Sequence, residues 1–246
     1  MNALNQYLDI IQQTLQLART SQAEALDLSA QLLADASIQK RNLFIFGCNH
    51  AGLLAKEMYY RTGGMVNINP ITAPGLNLDI VPVTMTSQME RLSDYGTIII
   101  DSSPLSKGDV IIIHSVSGRN TVTIDAALRA KEIGAKVIAL TNLETSRTVA
   151  SRHRCGKNLY EIADIVIDNC GCKGDASIQL EGITPKVGPT STVIGAALLN
   201  AIAVEAVSRI LAAGHEAPVF LSANLDEGDE YNDNIIQDYK QNIFYM

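Results

Sequence analysis

The hydrophobic positions along the chain change period several times, and each change marks an element. In residues 3–35, Leu4, Tyr7, Leu8, Ile11 and Leu15, then Leu26, Leu32 and Leu33, recur at three- and four-residue spacing among polar residues. That spacing predicts one or two amphipathic helices, packed on the core or on a partner subunit. From residue 42 the pattern alternates. Short, continuous, β-branched runs predict strands at 42–46, 66–71, 109–114, 136–141 and 163–167. Between and after them, helical periodicity covers 51–61, 121–133 and a long apolar stretch at 190–213. The run Thr97-Ile-Ile-Ile-Asp101 is β-branched, but its place before the strand at 109 favours a helix. Beyond Ala217 the chain is richer in Asp, Asn and Tyr and predicts a loop with a last helix near 232–241. Strands alternating with helices predict an α/β fold, a parallel sheet covered on both faces, with ligands at the carboxyl ends of its strands. The chain divides into helices at 1–36, the α/β unit at 37–216 and a tail at 217–246.

The most informative stretch is Asp109-Val-Ile-Ile-Ile-His-Ser-Val-Ser-Gly-Arg-Asn-Thr121. A buried strand ends in hydroxyls, a glycine and an amide, and a helix starts at once. Ser115 and Ser117 flank one residue, so both hydroxyls can aim at one point, and Gly118 lets backbone come close. The N–H groups of the following helix favour an anion in the same space. Capping needs one such residue, and several stand here, which favours a phosphate site over a simple cap. A second glycine turn, Phe46-Gly-Cys-Asn-His-Ala-Gly52, also follows a strand. His50 lies at its helix start as a proton-transfer candidate. Glu57, one helical face along, is its partner, a base in its own right, or half of an ordinary i,i+4 ion pair with Arg61. A third stretch, Gly182 to Thr192, crowds Thr190, Ser191 and Thr192 at a helix start behind Pro189. It either presents a positive helix end to a sugar or phosphate or is simply capped.

Composition narrows the field. The chain has 246 residues, 47% of them hydrophobic and 18% charged, enough for a well-filled core. A net charge of −7 argues against a nucleic-acid footprint, but not against a local anion pocket built from backbone amides. Aromatics are only 5%, so stacking is not the expected mode of recognition. No signal peptide or membrane span is expected. Four cysteines, Cys48, Cys155, Cys170 and Cys172, lack a disulfide-framework spacing, and a reducing cytoplasm is the default. Cys170-Gly-Cys172 supplies at most two metal ligands, so no metal is expected. His114 reads as a hydrogen-bonded structural residue, and Cys48 as a small buried thiol. His215 reads as a helix C-cap or as a residue reaching a site on a neighbouring subunit.

These turns together resemble the sugar isomerase (SIS) domain family over roughly residues 40–213, most of all bacterial proteins built of that domain alone and the phosphoheptose isomerases. The family's Ser-x-Ser-Gly-x-Thr turn is matched by Ser115-Val-Ser-Gly-Arg-Asn120, and its Gly-x-Gly-x-Ser turn, less well, by Gly47-Cys-Asn-His-Ala51. His50, Glu57 and Arg61-Thr-Gly-Gly64 agree with the pattern. Asn49 replaces its second glycine, Ala51 its serine, Gly52 a histidine, Lys56 a glutamate and Asn120 a threonine. The resemblance implies a three-layer α-β-α sandwich on a five-stranded parallel sheet, flavodoxin-like, in homodimers or homotetramers. It implies a phosphorylated hexose, heptose or amino sugar as ligand. Gly47, Asn49, Ala51, Ser115, Ser117, Gly118, Arg119, Asn120, Thr190, Ser191 and Thr192 are its candidate contacts. Isomerisation, or elimination from an amino-sugar phosphate, needs a base beside a carbonyl. His50 and Glu57 are the candidates, with Glu181 and His215 in reserve, and no cofactor is required. A non-catalytic sugar-phosphate sensor is the alternative.

Overall fold

The structure, a computed structural model, describes residues 2–246. Helices α1 (Ala3–Ser21) and α2 (Ala23–Ile38) lead into β1 (Leu43–Gly47), α3 (Leu53–Met58), β2 (Ile68–Ile71), α4 (Met85–Met89) and α5 (Tyr95–Asp101). Then come β3 (Val110–His114), α6 (Thr121–Ile133), β4 (Lys136–Thr141), α7 (Leu143–Ser146) and β5 (Ile165–Asp168). A small antiparallel pair, β6 (Ala176–Ile178) and β7 (Val187–Pro189), precedes α8 (Ser191–Ala212), and α9 (Gly228–Asp238) lies in the tail.

The five main strands form one parallel sheet in the order β2-β1-β3-β4-β5. Successive side chains of a strand point to opposite faces. Leu43, Ile45, Val110, Ile112, Ile138 and Leu140 therefore pack on one side, with residues of α2, α3 and α8. Phe44, Phe46, Ile111, Ile113, Val137 and Ala139 pack on the other, with α5 and α6. Both faces are dry, which is why the strands read as unbroken apolar runs rather than alternating ones. The expected three-layer sandwich is present. β1 runs out to β2 on one side and β3 lies on its other side, so the chain reverses direction of travel between β1 and β3. The loops leaving their carboxyl ends diverge there and open a crevice.

Helix α8 is long and apolar enough to cross a membrane by length and composition. Its Ile194, Leu198, Ile202, Ala206 and Ile210 instead recur every four residues and are buried against the core. Its outer side carries the Glu205–Arg209 pair, and Arg209 also reaches Asp27. The run Thr97–Asp101 belongs to a helix, as its position required.

The structure differs from expectation at two helices and one strand pair. The helix expected over 51–61 is a 3-10 turn at Asn49–Gly52 followed by α3, which stops at Met58. Tyr59 turns extended, and the rings of Tyr59 and Tyr60 pack edge-on against Tyr245 and Phe220, so tail contacts override the helical pattern. The tail helix begins at Gly228, earlier than its apolar residues suggest. The β6–β7 pair was not foreseen, because three-residue strands carry too little pattern to read.

Both outer strands of the sheet bond to segments distant in sequence. Beyond β5, the Asp168 N–H donates to Gln22 Oε1 at 3.0 Å. Beyond β2, Asn69 exchanges bonds with the tail. Its amide donates to Asn242 O (2.9 Å) and its Oδ1 accepts from the Phe244 N–H (2.8 Å), while Phe244 stacks on Phe44.

Candidate functional site

A cleft of about 540 Å³ opens at the crevice between β1 and β3. The turn after β1 contributes Cys48, Asn49, His50 and Ala51, and the turn after β3 contributes Ser115, Ser117 and Asn120. Residues 68 or so positions apart in the pattern thus meet because their strands are sheet neighbours.

The second turn is held by its backbone. Ser115 N–H continues the ladder to Leu140 O at 3.0 Å, and Ser115 Oγ accepts from the Gly118 N–H at 3.2 Å. Gly118 is left-handed (φ 59°), and a Cβ there would sit 3.0 Å from Ser146 Oγ and 3.3 Å from Leu159 Cβ. Both conformation and space demand glycine. Among the described residues, the N–H groups of Ser117, Arg119 and Asn120 and the Ser117 hydroxyl have no partner in the chain. With the start of α6 behind them, they form a cradle for an anion. One amide of that helix is already used: Val122 N–H donates to Glu90 O at 3.2 Å.

The first turn is tight. A Cβ on Gly47 would lie 2.6 Å from Ala51 O, so the chain folds back on itself only at glycine. That same Ala51 oxygen accepts from His114 Nδ1–H at 3.1 Å, which ties the two turns together and fixes the tautomer. Burial lowers the His114 pKa to about 4, so the ring is neutral and structural. His50 is exposed at the mouth of the cleft, Asn49 adopts a left-handed φ of 55°, and Ala51 brings a methyl rather than a hydroxyl. Cys48 is buried, and burial pushes its thiol up to about 12, far from a nucleophile.

Glu90, at the end of α4, also lines the cleft. Burial raises its pKa, opposed by the amides of Asn120 and Asn49 and then by Arg91 and Arg152. Asn120 is the junction, since its Oδ1 accepts from Arg152 Nη1 at 2.6 Å. Arg152 is held in place through its neighbour His153, whose Nε2–H donates to the buried Asp125 at 2.9 Å. Arg119 is half-buried, outside the cleft lining, with its Nε lacking a partner. Glu90, Thr145, Arg152 and Asp175 were all missed from the sequence. Glu90 and Asp175 lie in stretches without periodicity, and only the fold brings them to the crevice.

At the third constellation the helix start is capped by the chain itself. Asp175 Oδ1 accepts from the N–H groups of Thr190 (3.0 Å) and Ser191 (2.7 Å) and from the Thr190 hydroxyl (3.2 Å). Its Oδ2 accepts from the Ser191 hydroxyl at 2.7 Å. The positive end of α8 therefore holds a carboxylate of its own chain, and Thr190 is buried beneath it. Ser191 and Thr192 reach the cleft wall.

Three of the four acid–base candidates are not brought there. Glu57 is bound by Arg61 and by Asn200 Nδ2 (3.1 Å), the ion-pair alternative. Glu181 is exposed in the β6–β7 connection. His215 follows the far end of α8, beside Lys40 and Asp238, and a 22-residue helix spans about 33 Å. Within one chain, only His50 of the four faces the cleft.

The SIS domain family model matches residues 6–142, more than half of the chain. The chain belongs to the SIS domain family. Its relatives include a UPF0309 protein of Shouchella clausii, 43% identical over 246 residues and covering all of both chains. Among solved structures, a phosphoheptose isomerase from Francisella tularensis superposes with a TM-score of 0.53 at 14% identity, over 85% of this chain and 100% of that one. A phosphoheptose isomerase from Neisseria gonorrhoeae does so with a TM-score of 0.50 at 15% identity, over 85% and 97%. At such identity the superpositions establish a common SIS fold. Membership implies phosphosugar binding.

Proposed function

We propose that the chain binds a phosphorylated sugar in the β1–β3 cleft and moves a proton beside the sugar carbonyl, giving isomerisation or elimination. The observation that carries this reading is the meeting, in one cleft, of an unfilled amide-and-hydroxyl cradle with titratable side chains, His50 and Glu90. The cradle suits a phosphate, and a neighbouring acid–base pair suits proton transfer on the sugar it holds. Hexose, heptose and N-acetylamino-sugar 6-phosphates are the substrate class. The unit is a homodimer or homotetramer, a reading supported by the exposed apolar residues Val204 and Leu211 on α8 and Leu4 and Leu8 on α1.

The test is incubation with a panel of these phosphosugars in deuterated water, followed by NMR of the sugar protons. Exchange or product formation with one of them is the expected result. Tight binding without exchange across the panel overturns the enzymatic reading in favour of a sensor. Absence of binding overturns the phosphosugar assignment itself.

A further inference from the structure

We propose that Glu90 is the general base of this site, taking the proton from the carbon beside the carbonyl of the ring-opened phosphosugar. The inference rests on the proton-transfer reading above and adds the group that performs it.

Two carboxylates line the cleft, Glu90 and Asp175. Asp175 spends both oxygens on four donors of Thr190 and Ser191, so it has little left for a substrate. Glu90 enters no ion pair within 4 Å among the described residues. Its backbone is pinned instead: the Glu90 carbonyl accepts from Val122 N–H, which sets the residue against the first turn of α6, next to the phosphate cradle. Glu90 lines the same cleft as the cradle, so a sugar whose phosphate the cradle holds extends along the walls to which Glu90 belongs.

The surroundings of Glu90 fit that task. Asn49 comes from the first turn and Asn120 from the second, and both amides face its carboxylate. These are two of the positions at which the turns depart from the family pattern, and both departures bring a side-chain donor to the same group. Burial favours the protonated carboxyl, while the amides, Arg91 and Arg152 favour the charged one. A carboxyl balanced in this way can both accept and return a proton.

In the step, the C–H bond next to the carbonyl breaks and its proton passes to Glu90. The bonding electrons form the carbon–carbon double bond of an enediolate, and the carbonyl oxygen takes the negative charge. Glu90 then returns the proton to the former carbonyl carbon while the neighbouring hydroxyl passes its proton to the enediolate oxygen and becomes the new carbonyl, which completes an isomerisation. Alternatively the enediolate charge re-forms the carbonyl, the double bond shifts one carbon along, and the hydroxyl on the next carbon departs with the proton from Glu90 as water, which completes an elimination.

The test measures proton exchange in deuterated water and phosphosugar affinity by calorimetry for the parent chain, Glu90→Gln and Glu90→Asp. Glu90→Gln is expected to lower exchange by about 100-fold or more, with affinity held within about threefold. Glu90→Asp, which keeps a carboxylate on a shorter arm, is expected to retain part of the exchange. Asn49→Gly and Asn120→Ala each remove a donor to the charged form, so the acid limb of the pH–rate profile moves to higher pH. A role limited to structure would leave that limb unmoved. Parent-like exchange in Glu90→Gln overturns the assignment of Glu90 and leaves the phosphosugar enzyme standing. Binding without exchange in the parent chain overturns the base and the proton transfer together.

Discussion

Two helix starts face the same crevice, and in sequence they look alike. Ser115–Asn120 leads into α6 and Pro189–Thr192 into α8, each with several hydroxyls and a positive helix end. In the structure they have opposite fates. The start of α6 leaves three amides and a hydroxyl without partners, whereas the start of α8 is filled by the Asp175 carboxylate. A helix terminus is an anion site only if the rest of the chain leaves it empty. What distinguishes the two turns is a residue fifteen positions upstream of Thr190, brought in through the β6–β7 pair.

The contrast can be broken from either side. Asp175→Ala strands four donors and is expected to cost about 3 kcal/mol of stability, read from urea denaturation. The emptied α8 terminus should then gain stabilisation from added inorganic sulfate beyond that of the parent, and equal sulfate responses would mean that the terminus was never an anion site. On the α6 side, Ser117→Ala should weaken phosphosugar binding by about 1.5–3 kcal/mol, measured by calorimetry. Unchanged affinity would remove the cradle from the phosphate.

The strut between the two turns has its own pH signature. His114 is neutral in the fold, with a pKa lowered from 6.5 to about 4, so the unfolded chain binds the proton first. Stability is therefore full above the unfolded value and falls as pH drops, by roughly 1.4 kcal/mol per pH unit between those two values. Unfolding curves across that window should show this slope flattened in His114→Gln. The smallest effect is expected at Glu57→Gln. Its partly exposed pair with Arg61 is worth about 0–1 kcal/mol, and it stands outside the cleft, so proton exchange should persist. Loss of exchange there with binding intact would return Glu57 to the chemistry.

Much of this was legible. Continuous apolar runs gave away β1, β3 and β4 because both sheet faces are dry, and the Ser115–Asn120 turn announced itself through residue types at one strand end. Ser117 could be read because it is local to its turn. Glu90 could not, since it lies after a short helix in a stretch without periodicity and reaches the site only because Val122 holds its carbonyl. Asp175 escaped for a similar reason. Its partners Thr190 and Ser191 were visible, yet the carboxylate that occupies them arrives through strands of three residues each. The early end of α3 shows the same limit: rings from the tail, not local pattern, decide where Tyr59 and Tyr60 go.

The long-range bonds of the two outer strands have a consequence for how the chain reaches this state. The contact between β5 and Gln22 spans 146 residues and the one between Asn69 of β2 and the tail spans 173. Contacts of such separation form late, because loop-closure entropy opposes them until most of the chain is in place. During synthesis β2 therefore pairs with β1 long before Asn242 and Phe244 emerge. Until then the Asn69 side chain lacks these partners and Phe44 its stacking ring, so docking of the tail is a late step that completes this end of the sheet.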